Sequence, residues 1–246
     1  MNLELDESQQ ILVQTFSDLL TRECPTSHVR ECEATGHSPK LWARYVELGA
    51  SAMGLPESAG GLGLGLLDLG LVATCSGRAL APVPFEDVAA AARILTAVAP
   101  GDPIVEGVAS GERSISLVPL RPTAIAGTRG GAAGQHLIPS GAVVDSVLAL
   151  EGDSIVLYES DPGDRPRHVR EVGSGAHALW SLGPNATGSR REVARGSAAR
   201  AAYQVGVAEW KLLIAFRLLG LARSALGLGS SYAKERIQFG VPIGSF

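Results

Sequence analysis

The feature that most constrains this chain lies near its end. From Ala198 the stretch AARAAYQVGVAEWKLLIAFRLLGLARSALGLGSSYAKERIQF reaches Phe239 without a proline. Proline breaks helix interiors, so the run reads as one very long helix. Between Leu212 and Leu228 it is apolar around much of its circumference. A helix of that kind is buried among others. No second helix like it occurs in the chain, so its partners are expected in the rest of an assembly or in sequence beyond Phe246.

The segment before Pro103 also reads as helices. Asp6 with Gln9 three residues on makes a capping box. Ile11, Leu12, Thr15, Phe16, Leu19 and Leu20 then recur at helical spacing. A second helix is expected at Ser38 with Pro39 in its first turn, burying Leu41, Trp42, Tyr45 and Leu48 and stopping at Gly49. GLPESAGGLGLG forms a turn-rich link to a third helix over about Leu66–Leu80. APVP ends that one, and a fourth spans Phe85–Val98.

Between about 107 and 197 the character changes. Short β-favouring runs appear: SISLVPL, VVDSVLAL, SIVLYES and RHVREV, separated by Gly, Pro, Asp and Asn. They predict a small antiparallel sheet or barrel, with EGDS as a hairpin turn. The fold class is therefore α+β, with three parts: helical 1–106, β 107–197, and the long helix of 198–246 as the first element of a C-terminal helical domain.

Composition excludes several functions. The net charge of −4 gives no electrostatic footprint for nucleic acid. MNLELDESQQ is polar and acidic, unlike a secretory signal, and no apolar run is read as a membrane span. Cys24, Cys32 and Cys75 are odd in number and lack metal spacing, which suits buried thiols in a reducing cytosol. The sequon at Asn185 then carries no meaning.

Motif candidates mostly reduce to structure. GGLGLG at Gly60–Gly65 follows no strand and has no acidic residue closing a βαβ unit, so it reads as a turn and not as a dinucleotide loop. GTRGGAAGQ at Gly127–Gln135 lacks the Lys-Ser/Thr of a phosphate loop. The five histidines show no ligand pair, no metal site is expected, and no nucleophile elbow exists. Glu209 is the weak candidate for a catalytic base, since a carboxylate entering an apolar helix can have a raised pKa. Its plainer reading is a solvated flank residue.

Two stretches carry more. LWARYVELGASAMGLPESAGGLGLGLLDLGLVATCSGRALAPVPF resembles the N-terminal helical domain of acyl-CoA dehydrogenases, and YAKERIQFGVPIGSF resembles the motif in and after the first helix of their C-terminal domain. The order helical, β, helical agrees along the whole chain. The resemblance implies a flavoprotein that binds FAD and oxidises an acyl-CoA thioester between Cα and Cβ, a carboxylate taking the α-proton. It implies a homo- or hetero-oligomer of acyl-CoA dehydrogenase-like chains in the cytoplasm, of the actinobacterial type acting on fatty acyl or steroid side-chain thioesters. It also implies an electron-transferring flavoprotein as redox partner. The alternative is a non-catalytic companion that contributes only to a partner's flavin site.

In residue terms, Arg236 stands where the family's arginine reaches the FAD of the neighbouring subunit. A planar, permanently charged fork suits pyrophosphate oxygens. Gln238 and Phe239 match the next flavin-lining positions. The family's glutamine contact would follow Phe246, and the glutamate near the family's C-terminus that serves as base would lie further on, so the chain is expected to be C-terminally truncated. The Thr-Glu-Pro and Trp-Ile-Thr segments of the β-domain are missing between Gly107 and Ser197. In the subset that carries its base on the long helix, that place falls on Trp210, with Glu209 one residue out of phase.

Overall fold

A computed structural model describes residues 4–119, 135–161, 163, 165–183, 186 and 188–246. The stretch GTRGGAAG and the sequon residues Asn185 and Thr187 lie outside the described residues. Helix α1 (Glu7–Glu23) opens with the expected box: Asp6 accepts the Gln9 amide at 2.8 Å and the Gln9 side chain accepts the Asp6 amide at 3.3 Å. It buries Phe16, Leu19 and Leu20 but leaves Ile11 exposed. A short α2 (Thr26–Glu31) follows Pro25 and was not foreseen. In α3 (Pro39–Glu47) the Ser38 hydroxyl accepts the Leu41 amide at 3.2 Å, and Leu41 and Tyr45 are buried. Trp42 is half-buried. Leu48 is exposed, because it caps the helix end and Gly49 turns the chain away at φ +77°.

Helices α4 (Leu66–Ala79) and α5 (Phe85–Val98) fall at the expected places, with the proline-bearing break between them. Gly60–Gly65 is a turn leading into α4, as read. A further helix, α6 (Pro103–Ser110), was missed. Asp102 caps it, donating no proton but accepting the Ile104 amide at 3.0 Å, and Gly111 ends it at φ +78°.

The β part corrects the expectation of an all-antiparallel sheet. Four strands run in the order β1 (Ile115–Leu117), β3 (Ser146–Glu151), β4 (Ser154–Glu159), β6 (Ser189–Arg195). A separate pair joins β2 (Gln135–Ile138) to β5 (Ala178–Ser181). β1 pairs with β3 in parallel. A long crossover separates these two strands, and only hairpin-linked neighbours are bound to be antiparallel. The EGDS hairpin between β3 and β4 forms as expected, with Gly152 at φ +65°. RHVREV is no strand: only His168 bridges to Ala178, and Glu171 curls the backbone by accepting the Gly173 and Gly175 amides, each at 2.6 Å.

The long helix is present as α7 (Ser197–Glu235). Its inward face reads Ala199, Tyr203, Gly206, Trp210, Leu213, Arg217, Gly220, alternating steps of four and three residues. That spacing keeps one stripe against its neighbours. Contact with α4 and α5 is backbone-close. A Cβ on Gly206 would meet the Ile94 side chain at 2.0 Å, and one on Gly220 would meet the Thr74 carbonyl oxygen at 2.0 Å. Leu213 completes the core with Phe16, Tyr45, Leu69 and Phe85. The outward face is not buried in this chain: Leu218, Leu226 and Leu228 are 56%, 74% and 73% exposed. Contrary to the sequence expectation, α7 is long and apolar enough to span a bilayer, with a mean hydropathy of 1.6 in its most apolar window. The charges in it are too sparse to lower that average.

The helix ends at Glu235, short of the expected Phe239. Gly240 and Pro242 favour a turn there instead. Strands β7 (Ile237–Gln238) and β8 (Val241–Pro242) form a tight hairpin that folds back toward Ala233.

Candidate functional site

The chemistry-bearing residues fall into two groups along α7. The first group ties the helix to the body of the chain. Tyr203 lies near the start of α7, where its hydroxyl donates toward the carbonyls of Val118 (2.8 Å) and Leu148 (2.9 Å) and accepts the Val118 amide at 3.2 Å. Burial pushes its pKa well up. One turn beyond Gly206, Glu209 accepts a two-pronged bond from Arg93 of α5, Nε to Oε2 at 2.8 Å and Nη2 to Oε1 at 2.9 Å. Arg93 also donates to the Gly54 carbonyl at 3.1 Å. The two side chains are 27% and 18% exposed and line an open groove of about 400 Å³ with Pro56, Thr96 and Gly206.

Glu209 is therefore not the solvated flank residue of the plainer reading. Nor is it placed as a free base, because both its oxygens face a guanidinium. The Arg93 pKa rises, mainly through the hydrogen bond to Glu209.

Trp210 points its indole N–H to Asp87 Oδ1 at 2.7 Å. Asp87, buried in the first turn of α5, also accepts the Ser140 hydroxyl. Next to it Glu86 accepts Arg217 on both oxygens at 3.1 Å, and Arg217 donates again to the Ala81 carbonyl at 2.7 Å. Burial raises the Glu86 pKa against the pull of Arg217. Tyr45 and Ser76 close this cluster with a bond of 2.9 Å. Sequence reasoning passed over Glu86, Asp87, Arg93 and Tyr203. One signal was available: Tyr203, Trp210 and Arg217 recur every seven residues, each with a reach long enough to cross to α5 or the sheet.

The second group sits at the other end. Arg236 follows the last turn of α7, and its amide donates to the Tyr232 carbonyl at 2.9 Å. Its side chain is exposed and, among the described residues, has no acidic partner. Gln238 is exposed, and among the described residues its side chain bonds only the Ile237 carbonyl, at 2.7 Å. Phe239 is 94% exposed and sits at φ +50°, followed by Gly240 at φ +85°. Positive φ at both turn positions is what a tight two-residue hairpin requires, and it suits Asn or Gly far better than Phe. A bulky residue held in that region is a strained, site-like feature. Phe239 and Phe246 stack edge to face, with centroids 6.2 Å apart.

The structure brings Arg236, Gln238 and Phe239 together on one hairpin. It does not bring Glu209 to them: Arg236 lies 27 residue steps further along, about 40 Å along the axis. Among the described residues no group of His, Cys, Asp and Glu is arranged to hold a metal. The three cysteines are free and buried, and burial pushes the Cys24 thiol up to about 11.

Residues 6–99 match the family described as "Acyl-CoA dehydrogenase, N-terminal domain". The chain is 30% identical to acyl-CoA dehydrogenase IpdE2 of Mycobacterium tuberculosis, over 98% of this chain and 68% of that protein. It is 28% identical to the protein of the same name from Mycolicibacterium smegmatis, over 98% and 70%. Among solved structures, the ChsE4–ChsE5 complex from Mycobacterium tuberculosis superposes with a TM-score of 0.82 at 25% identity, covering all of this chain and 72% of that one. A variant of the Tcur3481–Tcur3483 steroid ACAD gives 0.79 at 26% identity, over 98% and 70%.

Proposed function

Because this chain belongs to the acyl-CoA dehydrogenase family, we propose that it serves FAD-dependent α,β-dehydrogenation of an acyl-CoA thioester within an oligomer, lending Arg236, Gln238 and Phe239 to the flavin site of a neighbouring chain. One observation carries this reading. The hairpin at the tip of α7 presents a cation, an amide and an aromatic ring whose side chains, among the described residues, contact only the Ile237 carbonyl and Phe246. A permanently charged fork at that tip fits a pyrophosphate, and Phe239 fits the edge of a flat ring. The bound FAD supplies the acceptor for the hydride leaving Cβ.

The α-proton needs a carboxylate within hydrogen-bond reach of Cα. Glu209 is held by Arg93, and Trp210 occupies the family's alternative position with its N–H committed to Asp87. We therefore assign the base to another chain of the oligomer. In that arrangement this chain acts as the companion that completes a partner's site. The two-chain ChsE4–ChsE5 and Tcur3481–Tcur3483 relatives support a hetero-oligomer, and the second, named a steroid ACAD, supports a steroid-derived substrate.

The test is flavin retention by the assembled oligomer. Arg236→Ala should weaken FAD binding by about 1.5–3 kcal/mol for each charge-assisted bond lost. Arg236→Lys should restore only part of it. Unchanged flavin affinity in both variants would remove Arg236 from the site.

A further inference from the structure

Three of the five histidines, His37, His168 and His177, gather where the loop after α2 meets the loop before β5. Gly36, at φ +65°, lies backbone to backbone against Gly175. A Cβ on Gly36 would stand 2.4 Å from the Gly175 carbonyl carbon and 2.4 Å from the Ala176 amide nitrogen. His37 is the next residue. His168 donates from Nε2 to the Gly175 carbonyl at 2.8 Å. The His177 ring lies against the same glycine, with Nδ1 2.7 Å from where a Gly175 Cβ would be. The Ala142 amide donates to the Ala176 carbonyl at 3.0 Å, so the β2–β3 link is tied in as well. The contact is a clasp between the helical part and the β part.

Two imidazole nitrogens are left over in it. Nδ1 of His37 and Nδ1 of His177 are buried and, among the described residues, have no hydrogen-bond partner. A neutral ring can leave a bare lone pair there, but a charged ring carries N–H on both nitrogens and needs an acceptor for each. The two rings differ in what faces them. His177 and His168 lie within reach of the Glu171 carboxylate. Burial pushes the Glu171 carboxyl up, but the Gly175 and Gly173 amides, helped by His177 and His168, hold it below the usual carboxylate range. His37 has no such neighbour. From the helical side its ring meets the Pro82 carbonyl, and from the β side it meets the charge of Arg165, which is itself paired with Asp145. Burial, with Arg165 acting in the same direction and Pro82 against it, holds His37 below the ordinary histidine range.

We propose that the Gly36–Gly175 clasp is a proton-operated latch: when His37 becomes charged, the loop of residues 165–177 lifts from the loop of residues 33–38. A charged His37 and Arg165 stand on opposite sides of the junction, so their repulsion acts to part it. Parting also returns the ring to water, where its second N–H finds an acceptor. Separation of Ala176 from Gly36 releases the Ala142 amide, which therefore reports the state of the latch. Nothing in this inference depends on where the flavin sits.

Amide exchange of the full chain, followed by NMR, tests it. The Ala142 amide should exchange through a local opening, faster than the β3–β4 ladder and insensitive to low urea. Its protection, corrected for the intrinsic rate, should fall as pH drops below about 6.5, by at most about tenfold per pH unit, the limit for uptake of one proton. His37→Asn should abolish that dependence. Gly36→Ala should lower the protection at every pH, because its Cβ meets backbone. Protection equal to that of the ladder, or flat with pH in wild type, overturns the latch, as does unchanged protection in Gly36→Ala. A pH dependence that survives His37→Asn overturns the assignment to His37. Should that variant be open at every pH, the wild-type imidazole titration decides: His37 must titrate in step with the Gly175 and Ala176 amide shifts, and separate midpoints overturn the proposal.

Discussion

Replacing Glu209 by Gln tests the tie between α5 and α7 and the assignment of the base together. The substitution keeps the shape and one acceptor oxygen. It turns the other prong into an NH2 group that faces the Arg93 guanidinium, donor against donor. An exposed ion pair contributes about 0.2–1 kcal/mol, while breaking a fully buried pair costs about 3–5 kcal/mol. With side chains 27% and 18% exposed, this pair lies between the two limits. Both prongs are short and Arg93 stays anchored to Gly54, so we expect a loss of about 2 kcal/mol. For a chain of this size that lowers the melting temperature by about 4–8 °C. Calorimetry of wild type, Glu209→Gln, Arg93→Gln and the double variant closes the cycle. The coupling should reach at least about 1 kcal/mol. In the same variant, flavin bleaching by acyl-CoA in the assembled oligomer should persist. A shift under about 1 °C with no coupling would return Glu209 to a solvated flank residue. Loss of bleaching with FAD still bound would make Glu209 the base.

Other substitutions probe the helix crossing, the acid side of stability and the hairpin. Gly220→Ala should cost about 1–3 kcal/mol or more, because its Cβ meets the Thr74 carbonyl oxygen at 2.0 Å and backbone cannot yield cheaply. Gly227→Ala, with nothing within 4 Å, should instead stabilise the chain by up to about 1 kcal/mol; urea melts of the pair read the contrast directly. Burial holds the His37 and His136 pKa values below the ordinary histidine range. The unfolded chain then takes up protons that the folded chain resists, so stability is fully present above about pH 6.5 and falls as pH drops below it. Melting temperatures across that range should show the slope, and His37→Asn should flatten it. Phe239→Gly should relieve the positive φ and stabilise the hairpin by about 1 kcal/mol while weakening flavin retention in the oligomer; a gain in both would place the ring outside the site.

Local rules made much of the fold legible. The Asp6–Gln9 box, the Ser38–Pro39 start, the proline before α5 and the Gly152 turn are all settled within a few residues of chain, and they stand where the sequence puts them. Elements fixed by distant partners were not visible. The strand SRREVAR is polar because it lies at the edge of its sheet, where arginines also discourage further pairing. It therefore lacks the apolar alternation by which a strand is recognised. The parallel pairing of β1 with β3 depends on how the intervening chain crosses over. The site divides the same way. Arg236, Gln238 and Phe239 form a contiguous motif, so a resemblance could reach them. Glu209 was misread because its partner lies 116 residues away, on a different helix.

That division bears on how the molecule works. The polar side chains of Tyr203, Glu209, Trp210 and Arg217 each cross to a different point of the body, on the sheet or on α5, within four turns of α7. Each bond is specific in direction, so together they fix the rotation and register of the helix more tightly than apolar packing alone would. The close contacts at Gly206 and Gly220 remove the remaining freedom to slide. Beyond Gly220 the helix continues for four more turns with little of its surface buried, and the hairpin is carried at the end of that extension. A rigid root of this kind would hold the tip in a fixed orientation, which suits the role proposed for Arg236. A loop could carry the same residues, but it would lose more conformational entropy on docking and would place them less accurately. A site completed by such a tip is complete only when chains meet, so flavin affinity should depend on the concentration of the partner as well as on that of FAD.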